Sequence, residues 1–364
     1  MRAAVFLEAH APLAIEEVKL LPPGPQDVVV RVTATALCQT DVSVRAGKYD
    51  YGAPMVMGHE ACGVVEAVGS AVTRLKPGDR VISSTAPCCG VCANCAAGRP
   101  NICVLGLAVR KPLRARRADG SLATGLYGLG SFAEQMCVHE ASLIAIHTAL
   151  PDAQLALIGC GVTTGLGAVL NRTDLKPGGS LAAIGCGAVG LAAIQGARIA
   201  GAEIVIGIDP RAERRADALR LGASAVIDPQ TENVAARVRD LTGGLGADAC
   251  IDAVGLPATA RQAYDLTRQA GSVIVVGLPP RGETFTFDAW QFFLSEKRFS
   301  SSLFGSADIR RDFPKYVSFA EEGRLDLGGL VSRIITLDQV NEGLDALAAG
   351  EVIRAVIVHG AATN

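Results

Sequence analysis

The chain has 364 residues, of which 49% are hydrophobic and 19% charged, with a formal net charge of −2. That length and balance fit two globular domains with buried cores, and the near-neutral charge gives no electrostatic drive toward nucleic acid or an anionic membrane. No uncharged apolar run reaches the ~18 residues that a bilayer span needs. The opening stretch MRAAVFLEAHAPLAIEE carries no basic-then-apolar leader. A cytoplasmic protein is expected, in which thiols stay reduced, so its 11 cysteines point to metal or catalysis before disulfides.

Along the chain, the first stretch that carries chemistry is ALCQTDVS, with Cys38 and Asp41. Next comes MVMGHEACGVVEAVG, where His59 precedes Glu60 and the part CGVVEAVG alternates as a strand does. A lone histidine is more often a packed core residue. Here Cys38 lies upstream and Cys160 downstream in LIGCGVTTG, and two cysteines with one histidine make the set that leaves a fourth zinc position for water or substrate. Asp41 is placed to accept the second imidazole hydrogen and fix the ring tautomer.

Between these boxes lies CCGVCANCAAGRPNIC, with Cys88, Cys89, Cys92, Cys95 and Cys103. Cys89, Cys92, Cys95 and Cys103 have spacing C-x2-C-x2-C-x7-C, which can bring four thiolates to one tetrahedral zinc about 2.3 Å from each sulfur. Adjacent side chains diverge, so Cys88 is the one left over. A site closed by four thiolates is structural. The competing readings are unrelated buried thiols, or a nucleic-acid-binding zinc ribbon, which the charge balance disfavours.

The next signal is GGSLAAIGCGAVGLAAIQGARIAGAEIVIGID. An apolar run at 181–184 reads as a buried strand, Gly185, Gly187 and Gly190 form G-x-G-x-x-G, an Ala-rich helix follows, and a second strand at 204–208 ends at Asp209. In that context the glycines admit a pyrophosphate to a helix N-terminus and the acid binds ribose hydroxyls. Asp209 would repel a 2′-phosphate, which favours NAD over NADP, whereas Arg211 and Arg214 nearby soften that preference. Strand-like runs at 223–228, 247–255 and 271–280, with helix-like runs at 233–243 and 259–270, predict a doubly wound parallel sheet over about 162–306.

Taken in order, the Cys38 box, the G-H-E box, the four-cysteine lobe, the G-C-G segment, the dinucleotide pattern and the closing VNEGLDALAAGEVIRAVIV resemble the zinc-dependent medium-chain alcohol dehydrogenases over essentially the whole chain. The resemblance implies a GroES-like β-rich catalytic domain (1–161 and 307–364) carrying a structural zinc lobe (88–103), and an NAD-binding Rossmann domain (162–306), with the active site in the cleft between them. It implies two zinc ions per chain: a catalytic one on Cys38, His59 and Cys160, and a structural one on Cys89, Cys92, Cys95 and Cys103. Glu60 matches a glutamate that approaches the metal during ligand exchange, Thr40 the hydroxyl that removes the substrate proton, and Asp41 the carboxylate behind the histidine. Gly185, Gly187, Gly190 and Asp209 match the NAD fingerprint, with Arg214 beside it. Val189 and Thr164 match residues near the nicotinamide, and Arg354 an arginine at the pyrophosphate.

Some positions depart from the best-known members. Ser43 stands where a relay histidine is common, so the proton leaves through serine, the cofactor ribose or water. Gln39 replaces a frequent cation near the pyrophosphate, which implies a weaker grip on the cofactor. Thr85 stands where a bulky aromatic often narrows the pocket, which implies room for a benzylic or medium-chain alcohol. The segment 104–135 has a length similar to the dimeric branches and holds Arg110, Lys111, Arg114, Arg116 and Arg117. It is either a solvated loop or an anchor for an anionic substrate handle. Tyr49 and Leu107 occupy the places of the acid and arginine that serve glutathione adducts.

The expected activity is NAD-dependent oxidation of primary alcohols, aliphatic or aryl, and the reverse. The alternative within the class is a mycothiol- or glutathione-dependent formaldehyde dehydrogenase. A non-catalytic zinc and nucleotide binder would have lost a ligand or Thr40, and all are present. The expected partners are a small alcohol or aldehyde and a second copy of the chain as a homodimer, or three copies more as a tetramer. His10, His139, His147 and His359 lack ligand-spaced partners, and Cys62, Cys137, Cys186 and Cys250 sit in apolar runs. Oxidation of Cys186, inside the glycine turn, would block the cofactor.

Overall fold

A computed structural model describes residues 1–49, 51–109 and 114–360, apart from the side chain of Leu107. The chain forms two compact units: Met1–Cys160 with Asp308–Ser318 and the chain from Leu327 onward, and Gly161–Ala307 with Phe319–Asp326.

The first unit is built of strands. Arg2–Phe6, Ala14–Leu20, Ala115–Arg117, Leu122–Gly125 and Met55–Val56 close a barrel. A seven-stranded sheet runs Leu143–Ala145, Arg80–Ser83, Glu60–Val68, Asp27–Ala36, Ala355–Val358 and Arg333–Ile335, with Gln135–His139 also on Asp27–Ala36. The strand DVVVRVTATA shows why: Val28, Val30, Val32 and Ala34 point into the core and Arg31 points out, as the two-residue period requires. Val28, Val30, Val32, Ala61, Val65 and Val81 share one core cluster. Leu37, Val44, Met57, Phe132 and Leu344 share another.

The second unit is a six-stranded sheet in the order Ala225–Ile227, Ile204–Ile208, Ser180–Ile184, Ala247–Asp252, Thr267–Val275, Arg298–Ser301, and every pairing is parallel. Parallel strands are covered on both faces, which is why SLAAI is apolar throughout and fully buried. The order turns back beside Ser180–Ile184, which places the strand before the glycine turn at the switch point where doubly wound sheets bind ligands.

Two expectations about boundaries change. The helix predicted over 259–270 is Pro257–Leu266. The Thr267 hydroxyl bonds the Ala263 carbonyl, the backbone turns extended there, and residues 267–270 begin the next strand. The segment 319–326, which the resemblance implies in the first domain, packs with the sheet unit. The Gln195 amide explains it: Oε1 accepts from Asp326 N at 2.6 Å and Nε2 donates to its carbonyl at 3.2 Å. Among the described residues no single helix is long and apolar enough to cross a membrane.

Candidate active site

In the first unit, the chain ends the strand Asp27–Ala36 and enters a short helix, Gln39–Arg45, capped at Cys38. Asp41 accepts the Cys38 N–H at 2.9 Å through Oδ2, which fixes the Cys38 backbone. Its Oδ1 lies 3.2 Å from Nδ1 of His59, at the start of strand Glu60–Val68. Cys160 arrives from far along the sequence, just after a 3-10 turn at Ala156–Gly159. The ligand atoms of Cys38, His59, Glu60 and Cys160 all lie within 4.8 Å of one another.

This cluster fits a metal. His59 is fully buried, and its Nε2 has no hydrogen-bond partner. Leaving a buried ring nitrogen unpaired is costly, and coordination of zinc by that nitrogen, with the opposite nitrogen held by a carboxylate, removes the cost. The hydrogen bond with Cys160, then the charges of Arg354 and His59, hold the Cys38 thiol well below its usual range, which favours the thiolate a metal needs.

Glu60 is buried too, and burial pushes its carboxyl well above the usual range against the pull of Arg354. Arg354, which the resemblance implies at a pyrophosphate, is 3% exposed; its Nη2 lies 3.2 Å from Glu60 Oε1 and 3.8 Å from Cys38 Sγ. Glu60 Oε2 has no partner. Thr40 is half-buried and Ser43 buried, both on the helix after Cys38. Thr85 is buried.

The lobe gathers the expected four sulfurs. Tetrahedral ligands about 2.3 Å from zinc lie about 3.8 Å apart. The observed separations are 4.0 Å for Cys89–Cys95, 3.6 Å for Cys92–Cys95, 3.8 Å for Cys92–Cys103 and 3.5 Å for Cys89–Cys103. Backbone N–H groups of Val91 and Cys92 point at Cys89 Sγ. Cys88 stays outside the cluster, buried, with its carbonyl accepting from Arg310 at 3.0 Å.

In the second unit, Gly185 takes φ +85°, and a Cβ on Gly190 would come 1.8 Å from the Gly185 carbonyl oxygen. Gly187 differs: it is exposed, its φ is −75°, and a Cβ there would meet nothing within 4 Å. Neither packing nor conformation asks for glycine at 187. Space for a ligand phosphate at the N-terminus of helix Ala188–Ile199 accounts for it. Asp209 accepts the Cys186 N–H at 2.8 Å and the Arg211 N–H at 2.9 Å, so the acid at the strand end is tied to the glycine turn. Arg214 is buried on the following helix, and Thr164 and Val189 are half-buried on helices Gly161–Arg172 and Ala188–Ile199. Cys186 is fully buried and burial pushes its thiol up to about 12, which disfavours oxidation at this position.

The basic segment changes most. Arg114 is buried and its Nη1 donates to Asp27 at 2.8 Å, and Arg117 forks onto Glu16 at 2.7 Å through each of two nitrogens. Arg116 donates to the Gly120 carbonyl within the hairpin. These three hold a strand of the barrel rather than stand free for an anionic ligand. Arg110 and Lys111 lie outside the described residues. Tyr49 packs half-buried against a core cluster.

One neighbour escaped sequence reasoning. The Tyr127 ring stands edge-on to the His59 ring, with centroids 5.4 Å apart at 79°. The only sequence signal is a tyrosine set between glycine-rich turns, which says nothing about His59.

A thiol, imidazole and carboxylate cluster with an open ligand nitrogen, a four-thiol lobe, and a parallel sheet with a glycine turn cleared for a phosphate define a zinc- and nucleotide-binding oxidoreductase. Residues 24–148 match the model of the alcohol dehydrogenase GroES-like domain, and residues 188–322 that of the zinc-binding dehydrogenase. The chain is 37% identical to a geraniol dehydrogenase of Castellaniella defragrans, over 98% of this chain and 97% of the relative. It is 33% identical to an S-(hydroxymethyl)glutathione dehydrogenase of Paracoccus denitrificans, over 98% and 99%. A crystal structure of benzyl alcohol dehydrogenase from Acinetobacter calcoaceticus superposes with a TM-score of 0.92 at 30% identity, covering 98% of each chain. The chain belongs to the zinc-dependent medium-chain alcohol dehydrogenase family, an enzyme family of alcohol and aldehyde oxidoreduction that uses zinc and a nucleotide cofactor.

Proposed function

We propose that this chain is an NAD-dependent zinc alcohol dehydrogenase that oxidises primary alcohols and reduces the matching aldehydes. The observation that carries it is the buried His59 Nε2, without a partner, beside Cys38 and Cys160. Cys38, His59 and Cys160 would hold a catalytic zinc, and Cys89, Cys92, Cys95 and Cys103 a structural one. Gly185, Gly187, Val189, Gly190, Asp209 and Thr164 would hold NAD. When bound, zinc supplies Lewis acidity toward an alcohol or carbonyl oxygen, and the nicotinamide takes or gives the hydride.

The chain's own groups supply the rest. Thr40 Oγ1 takes the hydroxyl proton and Ser43 with water carries it out. Asp41 keeps the His59 Nδ1 protonated, so that Nε2 is the free nitrogen. Arg354 holds the buried Glu60 through Oε1. The Asp209 carboxylate, drawn to the glycine turn, favours NAD over NADP because a 2′-phosphate would face its charge.

Simple alcohols are favoured over thiol adducts because Arg114 and Arg117 are already paired with Asp27 and Glu16. A homodimer is supported by helix Ala289–Ser295, where Trp290 is 68% and Phe293 74% exposed, next to the edge strand Arg298–Ser301. A cytoplasmic location accords with the many free thiols.

The test follows NADH absorbance with NAD and ethanol, hexanol, benzyl alcohol, or formaldehyde with and without glutathione or mycothiol. Turnover of alcohols without a thiol supports the proposal. Turnover of formaldehyde only with a thiol would replace it by the detoxifying alternative.

A further inference from the structure

Tyr127 sits in the left-handed region, φ 55° and ψ 20°, between buried Leu126 and Gly128. For a bulky side chain that backbone costs roughly 1–2 kcal/mol. Glycine at 127 would relieve it, and the neighbouring Gly128 and Gly130 show that glycine is used freely in this turn. The strain therefore calls for something the tyrosine side chain does.

What it does is stand beside the cluster. The ring lies edge-on to His59 at 5.4 Å, and that imidazole carries the unpartnered Nε2. Tyr51 prevents the ring from swinging: the two hydroxyls lie 3.1 Å apart and the rings meet edge-on at 5.5 Å and 69°. Tyr49 extends the series, 6.5 Å from Tyr51. Three of the chain's five tyrosines thus form one connected aromatic wall that begins at a candidate ligand. His59 and Glu60 are fully buried, and Tyr127 beside them is half-buried.

We propose that Tyr127, clamped by Tyr51, is a specificity-determining residue that favours primary alcohols with a planar conjugated group at the reacting carbon, aryl or allylic, over saturated chains of similar size; this rests on the alcohol dehydrogenase reading above. A fixed ring gives a π-bearing substrate edge-to-face or offset contact worth about 0.5–1.5 kcal/mol beyond buried area, or roughly 2- to 12-fold in binding or rate. A saturated chain gains only area and gives up rotamer freedom to lie along the wall.

The experiment compares kcat/KM for benzyl alcohol, cinnamyl alcohol and hexanol at saturating NAD in the wild type, Tyr127→Leu, Tyr127→Phe and Tyr51→Leu. Zinc content is measured alongside, with equilibrium binding of cinnamamide and hexanamide in the presence of NADH. In Tyr127→Leu the aryl-to-hexyl ratio should fall about fivefold, in both turnover and amide binding, with zinc content kept. Tyr127→Phe keeps the ring and should keep the ratio. Tyr51→Leu, at a position 41% exposed, should lower the ratio less and serves if Tyr127→Leu does not fold. The proposal is overturned if the wild type shows no aryl or allylic preference, or if the Leu variants lower all substrates equally. A wild type active on alcohols but without preference would sink this inference alone; one that oxidises no alcohol at all would remove the underlying reading with it.

Discussion

One carboxylate holds two ligand candidates at once: Asp41 Oδ1 lies 3.2 Å from His59 Nδ1 while Oδ2 accepts the Cys38 N–H at 2.9 Å. Both partners are donors, so both oxygens must accept. An asparagine has one accepting oxygen and would turn an N–H against one donor. Asp41→Asn should therefore loosen both residues and weaken zinc at this site by about 10- to 100-fold, with the lobe zinc retained. Competition with a chromophoric chelator measures it, and an unchanged slow phase of zinc loss would contradict the orienting role.

The Arg354–Glu60 pair makes a second prediction. Both side chains are almost fully buried, 4% and 0% exposed. Breaking a buried pair by removing one partner costs up to about 3–5 kcal/mol. Arg354→Met should lower stability on that scale in urea unfolding of the zinc-loaded protein. Adding Glu60→Gln should restore a good part of it, and a double variant no more stable than Arg354→Met would show that the pairing is not what matters.

Gly187 and Gly190 should part company. Alanine at 190 would press on the Gly185 carbonyl oxygen, 1.8 Å away, and should destabilise the sheet unit. Alanine at 187 meets no protein atom within 4 Å, so Gly187→Ala should melt like the wild type. If a phosphate lies there, its NAD dissociation constant should rise about tenfold, equal to ~1.4 kcal/mol. Wild-type affinity in Gly187→Ala would count against a nucleotide phosphate in that space.

Asp248 gives the pH dependence. It accepts from Ser180 N and Oγ, each at 2.7 Å, and from Arg268 Nε at 2.6 Å. Burial works against the carboxylate, but the Ser180 and Arg268 hydrogen bonds hold it below the ordinary 3.8. A depressed folded pKa contributes stability that is present above the unfolded value and is lost as pH falls through the folded one. The melting temperature of Asp248→Asn should thus lie below the wild type at pH 7, and the gap should begin to narrow as pH falls below about 4. A gap that stays constant down to pH 3 would show that charge is not involved.

Local signals were the legible ones. Four cysteines within one loop and G-x-G-x-x-G between a strand and a helix need only neighbouring residues to meet, and short-range turns suffice. The helix end at Leu266 was missed because TRQA has no breaker; the extended turn at Thr267 follows from its place in the sheet. Arg354 meets Glu60 across 294 positions and Arg114 meets Asp27 across 87, and no pattern in the sequence pairs such charges. The basic segment therefore reads in the sequence as either a solvated loop or a ligand anchor, and the pairing of Arg114 with Asp27 and of Arg117 with Glu16 lies outside any local pattern. Tyr127 was invisible for the same reason, since its place beside His59 depends on the barrel that brings residues 59 and 127 together.

The most direct measurement is the zinc content of the wild type, Cys160→Ala and Cys95→Ala, with alcohol-dependent NADH formation on the same samples. The account predicts two zinc ions per chain in the wild type. In Cys160→Ala it predicts one, with a near-normal melting temperature and no turnover. In Cys95→Ala it predicts loss of the lobe zinc with a lowered melting temperature, because structural zinc contributes directly to folding. Two zinc ions and full turnover in Cys160→Ala would contradict the assignment of Cys38, His59 and Cys160 as the catalytic metal site.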